Sequence, residues 1–172
     1  MTNLQDTITA TTGTWRLAPD RSKVAFQAKT AWGLATVTGA FTEFSGDGQV
    51  TDDVTGRVVI RAASLQTGIG KRDKHLRSAD FFDVETHPDI VVEVTGAEPG
   101  PTDTAVLHST FTVRGTSRPV ELPVNVRILD GTAVQVSGHC TVDRAEFGVT
   151  GNLLGMVGQK AALSATLVFV RA

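Results

Sequence analysis

Cysteine is almost missing from this sequence: Cys140 is the single one in 172 residues. That excludes an intrachain disulfide framework and any cysteine-rich zinc or iron–sulfur site. An excess of either charge is also missing. Sixteen Lys and Arg face 18 Asp and Glu, for a formal net charge of −2. Such a balance disfavours a broad cationic footprint, and no nucleic-acid partner is expected. No run approaches the roughly 18 continuous apolar residues of a membrane-spanning helix. The opening MTNLQDTITATTGTW has no basic region followed by an apolar one, so it does not read as a signal peptide. The expected compartment is therefore the cytoplasm. Internal repeats, heptads and low-complexity linkers are absent too, and the length suits one domain.

What is abundant is β-branched: 22 valines and 24 threonines, a density that favours strands. The clearest alternation runs from Val120 to Ile128, with Val120, Leu122, Val124, Val126 and Ile128 on one face. Pro123 falls on the other face and lacks an N–H, so a bulge or weakened pairing is expected near it. Asp130-Gly131 then turns the chain into a strand from Ala133 to Val142. Further strands are expected around Val24–Ala28, Ala35–Phe41, Thr55–Ala62, Ile90–Val94, Leu107–Val113 and Leu163–Val170. Trp32-Gly33 and Pro99–Asp103 read as turns. The exception is a charged segment, with a short helix over Lys71–Arg77 leading to Phe81-Phe82, which could plug one end of the sheet. About eight antiparallel strands can close into a barrel, filled or hollow, and periodicity alone does not exclude a sandwich.

The groups that could do chemistry are scattered. His75, His87, His108 and His139 form no HExxH site and no short-range set of three ligands. Cys140 shares the apolar parity of its strand and reads as a small packed hydrophobe, with His139 on the opposite face. Ser64 and Ser109 have no identifiable His–acid partners. The glycines at 148, 151, 155 and 158 lack the phosphate-loop pattern. No metal, cofactor or catalytic residue is assigned.

The ordered pieces WRLAPDRSKVAFQAK, VTGAFTEFSG, AASLQTGIGKRDKHLRSADFFDVETHPDIVVEV, FTVRGTSRPVELPV and VDRAEFGV resemble the YceI-like, polyisoprenoid-binding family. The resemblance runs from Trp15 to about Val170. It implies an all-β fold: one extended antiparallel lipocalin-like barrel of about eight strands with a short helical connection near 71–77. A flexible segment, 1–13, would precede a barrel domain, 14–172. The resemblance further implies a long internal cavity for a polyisoprenoid or similar amphiphile, and a family in which crystals are commonly dimeric, so a homodimer is one expected assembly. Many relatives are exported. This chain has Arg21 and Thr30 where relatives commonly have histidine, which weakens any histidine chemistry carried over from them.

A long apolar tail needs a dry, apolar channel. The resemblance raises that reading for Phe26, Phe41, Phe82 and Phe111 among the eight phenylalanines, and for Trp32 at a mouth. Leu154 and Met156, in the apolar stretch 153–158, read as a lid or as ordinary packing. Arg72 and His75, in RDKHL, could meet a headgroup, while Arg72 with Asp73 could instead tie down the helix. Asp143 and Arg144 could fasten the loop before Phe147 in the same way. The patch of Lys71, Arg72, Lys74 and Arg77 could touch anionic lipid headgroups during cargo exchange. The expected function is binding, with transport or storage, of a quinone or isoprenyl phosphate. The alternatives are a filled interaction barrel or a cavity enzyme such as an isomerase or cyclase.

Overall fold

The valine- and threonine-rich segments are extended in the structure, a computed structural model that describes residues 4–151 and 158–172. In chain order the elements are α1 (Leu4–Ala10), β1 (Gly13–Leu17), β2 (Lys23–Thr30), β3 (Ala35–Phe41), β4 (Phe44–Val50), β5 (Val54–Arg61), β6 (Leu65–Gln66), α2 (Gly70–Arg77), β7 (Asp89–Pro99), β8 (Thr104–Val113), β9 (Thr116–Asp130), β10 (Ala133–Asp143) and β11 (Lys160–Arg171).

All pairings among these strands are antiparallel, and the ladder runs β1-β4-β5-β7-β8-β9-β10-β11 before β11 returns to β1. The remaining segments extend three of these strands. β2 continues β1, β3 leads into β4, and β6 continues β5, each pair joined across a kink. The result is a closed up-and-down barrel of eight strands, three of them bent. Closure removes the two free edges that a flat sheet would have over most of its length.

The three kinks lie side by side, and side-chain hydroxyls mend the ladder where the backbone cannot. Ser22 Oγ donates to Ala18 O at 2.7 Å and accepts from Val168 N at 2.9 Å. Ser64 Oγ donates to Arg61 O at 2.7 Å, and Thr42 Oγ1 donates to Ser64 O at 3.2 Å. Beside this seam lies a cluster of buried apolar residues, Leu17, Phe41, Phe44, Ile60, Ala62, Leu65 and Ile90. Leu65 is 0% exposed.

Pro123 has the expected consequence. Residues 116–125 of β9 pair fully with β8, but the ladder to β10 stops at Val124–Gly138. Pro119 and Pro123 fit the β8 ladder only with their missing N–H groups pointing away from β8, on the side towards β10. β9 and β10 therefore part company at one end. The 3₁₀ turn Arg144–Phe147 lies beside this opening, and Arg118 Nε reaches Glu146 O at 3.3 Å.

α2 and Phe81-Phe82 cover that same end, and Phe81 packs with Phe111, Phe147 and Val149. The opposite end meets α1, whose Ile8 packs on Ala105 and Val124. The sequence assigned no helix to residues 1–13. A seven-residue helix is too short to be stable alone, and contact with the barrel end explains its presence. Ile128 keeps the inward parity, opposite Val134, but sits so close to the β9–β10 hairpin that it is 43% exposed.

Candidate functional site

Inward-facing residues along the strands should vanish from solvent if the barrel is filled. They do not. Val24, Phe26, Val37, Val92, Leu107, Val136, Leu163 and Leu167 follow the inward parity, yet each is only partly buried. They surround a cavity of about 700 Å³ with walls that are mostly aliphatic and aromatic. The barrel is hollow, and its volume falls within the range of small-molecule sites.

Two local choices keep it so. Gly39 sits directly opposite Phe26 on the neighbouring strand. A Cβ at Gly39 would lie 2.3 Å from Phe26 Cζ, so glycine lets the ring lie over the wall. At Gly138 a Cβ would lie 2.8 Å from Pro123 O on the β9 backbone. On the wall, Phe26 and Phe41 are 5.4 Å apart between ring centroids, and Phe41 meets Phe82 edge-on at 6.1 Å. Such tilted and edge contacts are the favoured aromatic geometry.

Four of the expected site phenylalanines therefore line one cavity: Phe26, Phe41 and Phe82 as a contiguous row, Phe111 beside Phe81 and Phe147. Arg72 and His75 reach the lining from α2. Trp32 does not: it is 68% exposed at the tip of the β2–β3 hairpin and is absent from the lining. Its turn explains this. Ala31, Trp32 and Gly33 all have positive φ, 49°, 54° and 89°, in the loop between the paired Thr30 and Ala35, and the ring is carried out into solvent. Leu154 and Met156 lie outside the described residues.

Arg72 and Asp73 tie the helix down. Arg72 Nε donates to Thr67 Oγ1 and Nη2 to Thr67 O, both at 2.8 Å. The buried Asp73 carboxylate accepts from Thr67 N at 3.0 Å and from the Thr67 hydroxyl. His75 Nε2 lies 3.0 Å from Asp80 Oδ2, and its ring stands edge-on to Phe81 at 5.1 Å. Arg144 has the same kind of task. Its Nε donates to Gly158 O, and its Nη1 to Val149 O and Gly151 O, each at 2.8 Å. Burial lowers the Arg144 pKa, but a guanidinium stays charged in proteins. Asp143 accepts from Ala145 N at 3.0 Å and Gln159 Nε2 at 2.8 Å.

Cys140 faces inward with Val142 and Leu163, and burial pushes its thiol up, the opposite of what a nucleophile needs. Among the described residues, no three His, Cys, Asp or Glu side chains are grouped to hold a metal ion. No helix among them is long and apolar enough to cross a membrane.

Sequence reasoning did not single out Ile8, Thr7, Thr11 and Trp15, which line the α1 end of the cavity. Trp15 Nε1 donates to Thr11 O at 2.7 Å, and the Arg171 guanidinium stacks 4.5 Å from the Trp15 ring centroid. Met1, Leu4 and Ile8 are the large apolar residues of an otherwise polar stretch, too few to define a period.

A model of the YceI-like domain matches residues 15–169. Among curated relatives, a UPF0312 protein of Azotobacter vinelandii is 32% identical over 92 residues, 51% of this chain and 48% of that protein. The chain thus spans about half the length of the first relatives it matches. A UPF0312 protein of Pseudomonas aeruginosa is 27% identical over 150 residues, 81% of this chain and 76% of the relative. Among solved structures, Burkholderia cenocepacia BcnA superposes with a TM-score of 0.81 at 21% identity, over 88% of this chain and 98% of its own. A polyisoprenoid binding domain from Saccharophagus degradans, implicated in plant cell wall breakdown, gives 0.78 at 16% identity, over 92% and 98%. At these identities the two superpositions establish the fold.

Proposed function

The chain belongs to the YceI-like domain family, and from that premise we propose that its barrel binds one amphiphile with a long apolar tail, of the polyisoprenoid class, as a carrier or store without turnover. The hollow, mostly apolar cavity of about 700 Å³ carries this reading. A filled interaction barrel would bury its inward side chains, and this one leaves them bordering empty space. The tail lies along Phe26, Phe41 and Phe82, where each methylene removed from water contributes ~0.8 kcal/mol before ordering costs. The headgroup, a quinone or an isoprenyl phosphate, lies at the α2 end near Arg72 and His75. The likeness to a polyisoprenoid binding domain supports the ligand class.

Native mass spectrometry of gently purified protein, followed by solvent extraction, tests this. A stoichiometric isoprenoid released from the chain is the expected result, and its mass names tail and head together. Protein that is consistently empty and takes up neither quinones nor isoprenyl phosphates sinks the proposal.

A further inference from the structure

Among the described residues, four large hydrophobic side chains stand exposed: Trp32, Leu34, Ile69 and Ile128. Three belong to one end of the barrel. Trp32 and Leu34, at 68% and 88% exposure, form the β2–β3 hairpin tip. Ile69, at 53%, immediately precedes α2. β6 pairs antiparallel with β3, so the chain leaving β6 towards Ile69 runs in the direction of that tip. The tip extends beyond the Ala28–Ala161 pairing, where β11 begins, at the end of the barrel that α2 covers.

On α2 itself the free charge has one sign. α2 reads GKRDKHLR. Its single acid, Asp73, is buried against Thr67. Arg72 is held by Thr67, and Arg77 by Ala63 O and Leu65 O at 2.9 and 2.7 Å. That leaves Lys71 and Lys74 exposed, without an ion pair among the described residues. Lys29, on the hairpin, donates only to Thr36 Oγ1 at 3.0 Å. The neighbouring Asp80 is engaged by His75.

Backbone conformation adds to this. Ala31 and Trp32 are both left-handed, φ 49° and 54°, positions that side chains other than glycine occupy at a cost. The turn holds the indole out from the barrel, 68% exposed. An indole beside leucine, flanked by unpaired lysines, is the composition that partitions into the headgroup region of a bilayer. A second copy fits less well, because a symmetric contact would set lysines against lysines.

We infer that the β2–β3 tip, with Ile69 and the lysines of α2, is a docking surface for an anionic lipid bilayer, and that it presents the α2 end of the cavity to the membrane. Docking rests on the exposed residues alone; only the passage of cargo rests on the cavity reading. Trp32 and Leu34 enter the headgroup layer, and Lys71, Lys74 and Lys29 lie over anionic phosphates.

Vesicle co-sedimentation with intrinsic fluorescence tests this on the full chain. Vesicles of phosphatidylcholine with a quarter phosphatidylglycerol should pull the protein down and shift Trp32 emission to the blue. Brominated lipid should quench it, while the buried Trp15 is spared. The W32N/L34S variant, whose Asn tolerates the left-handed turn, should lose roughly tenfold or more in partitioning. K71E/K74E should lose a similar factor on anionic vesicles and little on pure phosphatidylcholine. Prenyl-ligand uptake in solution by W32N/L34S should match that of the parent. Wild-type protein that ignores anionic vesicles overturns the inference, as does unchanged partitioning of W32N/L34S. So does a concentration-dependent dimer abolished by W32N/L34S without vesicle binding, which would assign the tip to a second copy. An empty cavity in the mass-spectrometric experiment leaves the sedimentation result readable, so the two proposals fail separately.

Discussion

The two ends of the barrel are closed by different amounts of chain. At the α1 end one short helix does the work, with Ile8 packed on Ala105 and Val124. Beside it Arg171 stacks on Trp15 and donates to Gly131 O, Thr12 O and Ala10 O. The α2 end has bent strands, a parted β9–β10 ladder and covering segments held by arginines on backbone carbonyls. Arg72, Arg77, Arg114, Arg118 and Arg144 each reach at least one, with Arg114 on Phe81 O and Gly148 O at 2.8 and 3.2 Å. Arginine ties to carbonyls occur at both ends; what sets the α2 end apart is their number and the buried cluster of Phe81, Phe111, Phe147 and Val149 that the covering segments complete.

Arg144→Ala should break this difference most. At least three charge-assisted bonds go and their carbonyl partners lose a donor, a loss of about 3 kcal/mol in urea unfolding. Arg144→Lys should not rescue it, because an ammonium cannot span three separated carbonyls. Ile8→Ala should cost less, about 2 kcal/mol, since a short terminal helix can settle into the space left. Equal losses from the two substitutions would contradict the contrast between the ends. Gly39→Ala should cost about 1 kcal/mol. It should also push the Phe26 ring towards the lumen, shortening the longest prenyl tail the protein accepts in a uptake series. The smallest effect concerns acid. Asp53 accepts from Val54 N at 2.8 Å and Ala97 N at 2.9 Å, and these bonds hold its carboxyl below the usual range. A depressed folded pKa stabilises above the unfolded value and is lost as pH falls through the folded one. Asp53→Asn should therefore lower the melting temperature slightly at neutral pH. The difference from wild type should close as the pH drops below about 4.

Much of the wall was legible because a strand writes its two faces into alternate residues. β3 matches its expected bounds, and β9, β10 and β11 contain theirs with a few residues added. Pro123 marked the place where the β9–β10 ladder stops. β1 and β4 were not singled out: GTWRL is short, and in FSGDGQV two of the four inward positions, Gly46 and Gly48, carry no side chain to mark the face. Four of the expected cavity phenylalanines do line it, because inward parity is a local property. Trp32 does not, because the direction of a turn residue depends on φ, which Trp-Gly alone leaves open. Arg72 shows both sides of the problem. Its motif was visible, but only the fold brings Thr67 to its guanidinium.

The sequence by itself determined an antiparallel all-β chain, its strand parities, a short helix near 71–77 and the family. The parities and the helix follow from residues close together in the chain, and the family from the order of such local pieces along it. Only the tertiary structure decided that the barrel is hollow, since a half-buried Val136 and a fully buried one have the same neighbours in sequence. Closure through β1 and β11 joins residues some 150 positions apart, Trp15 with Arg171 among them. The contrast between the two ends arises in the same way: which carbonyls an arginine reaches is settled by what the fold places beside it.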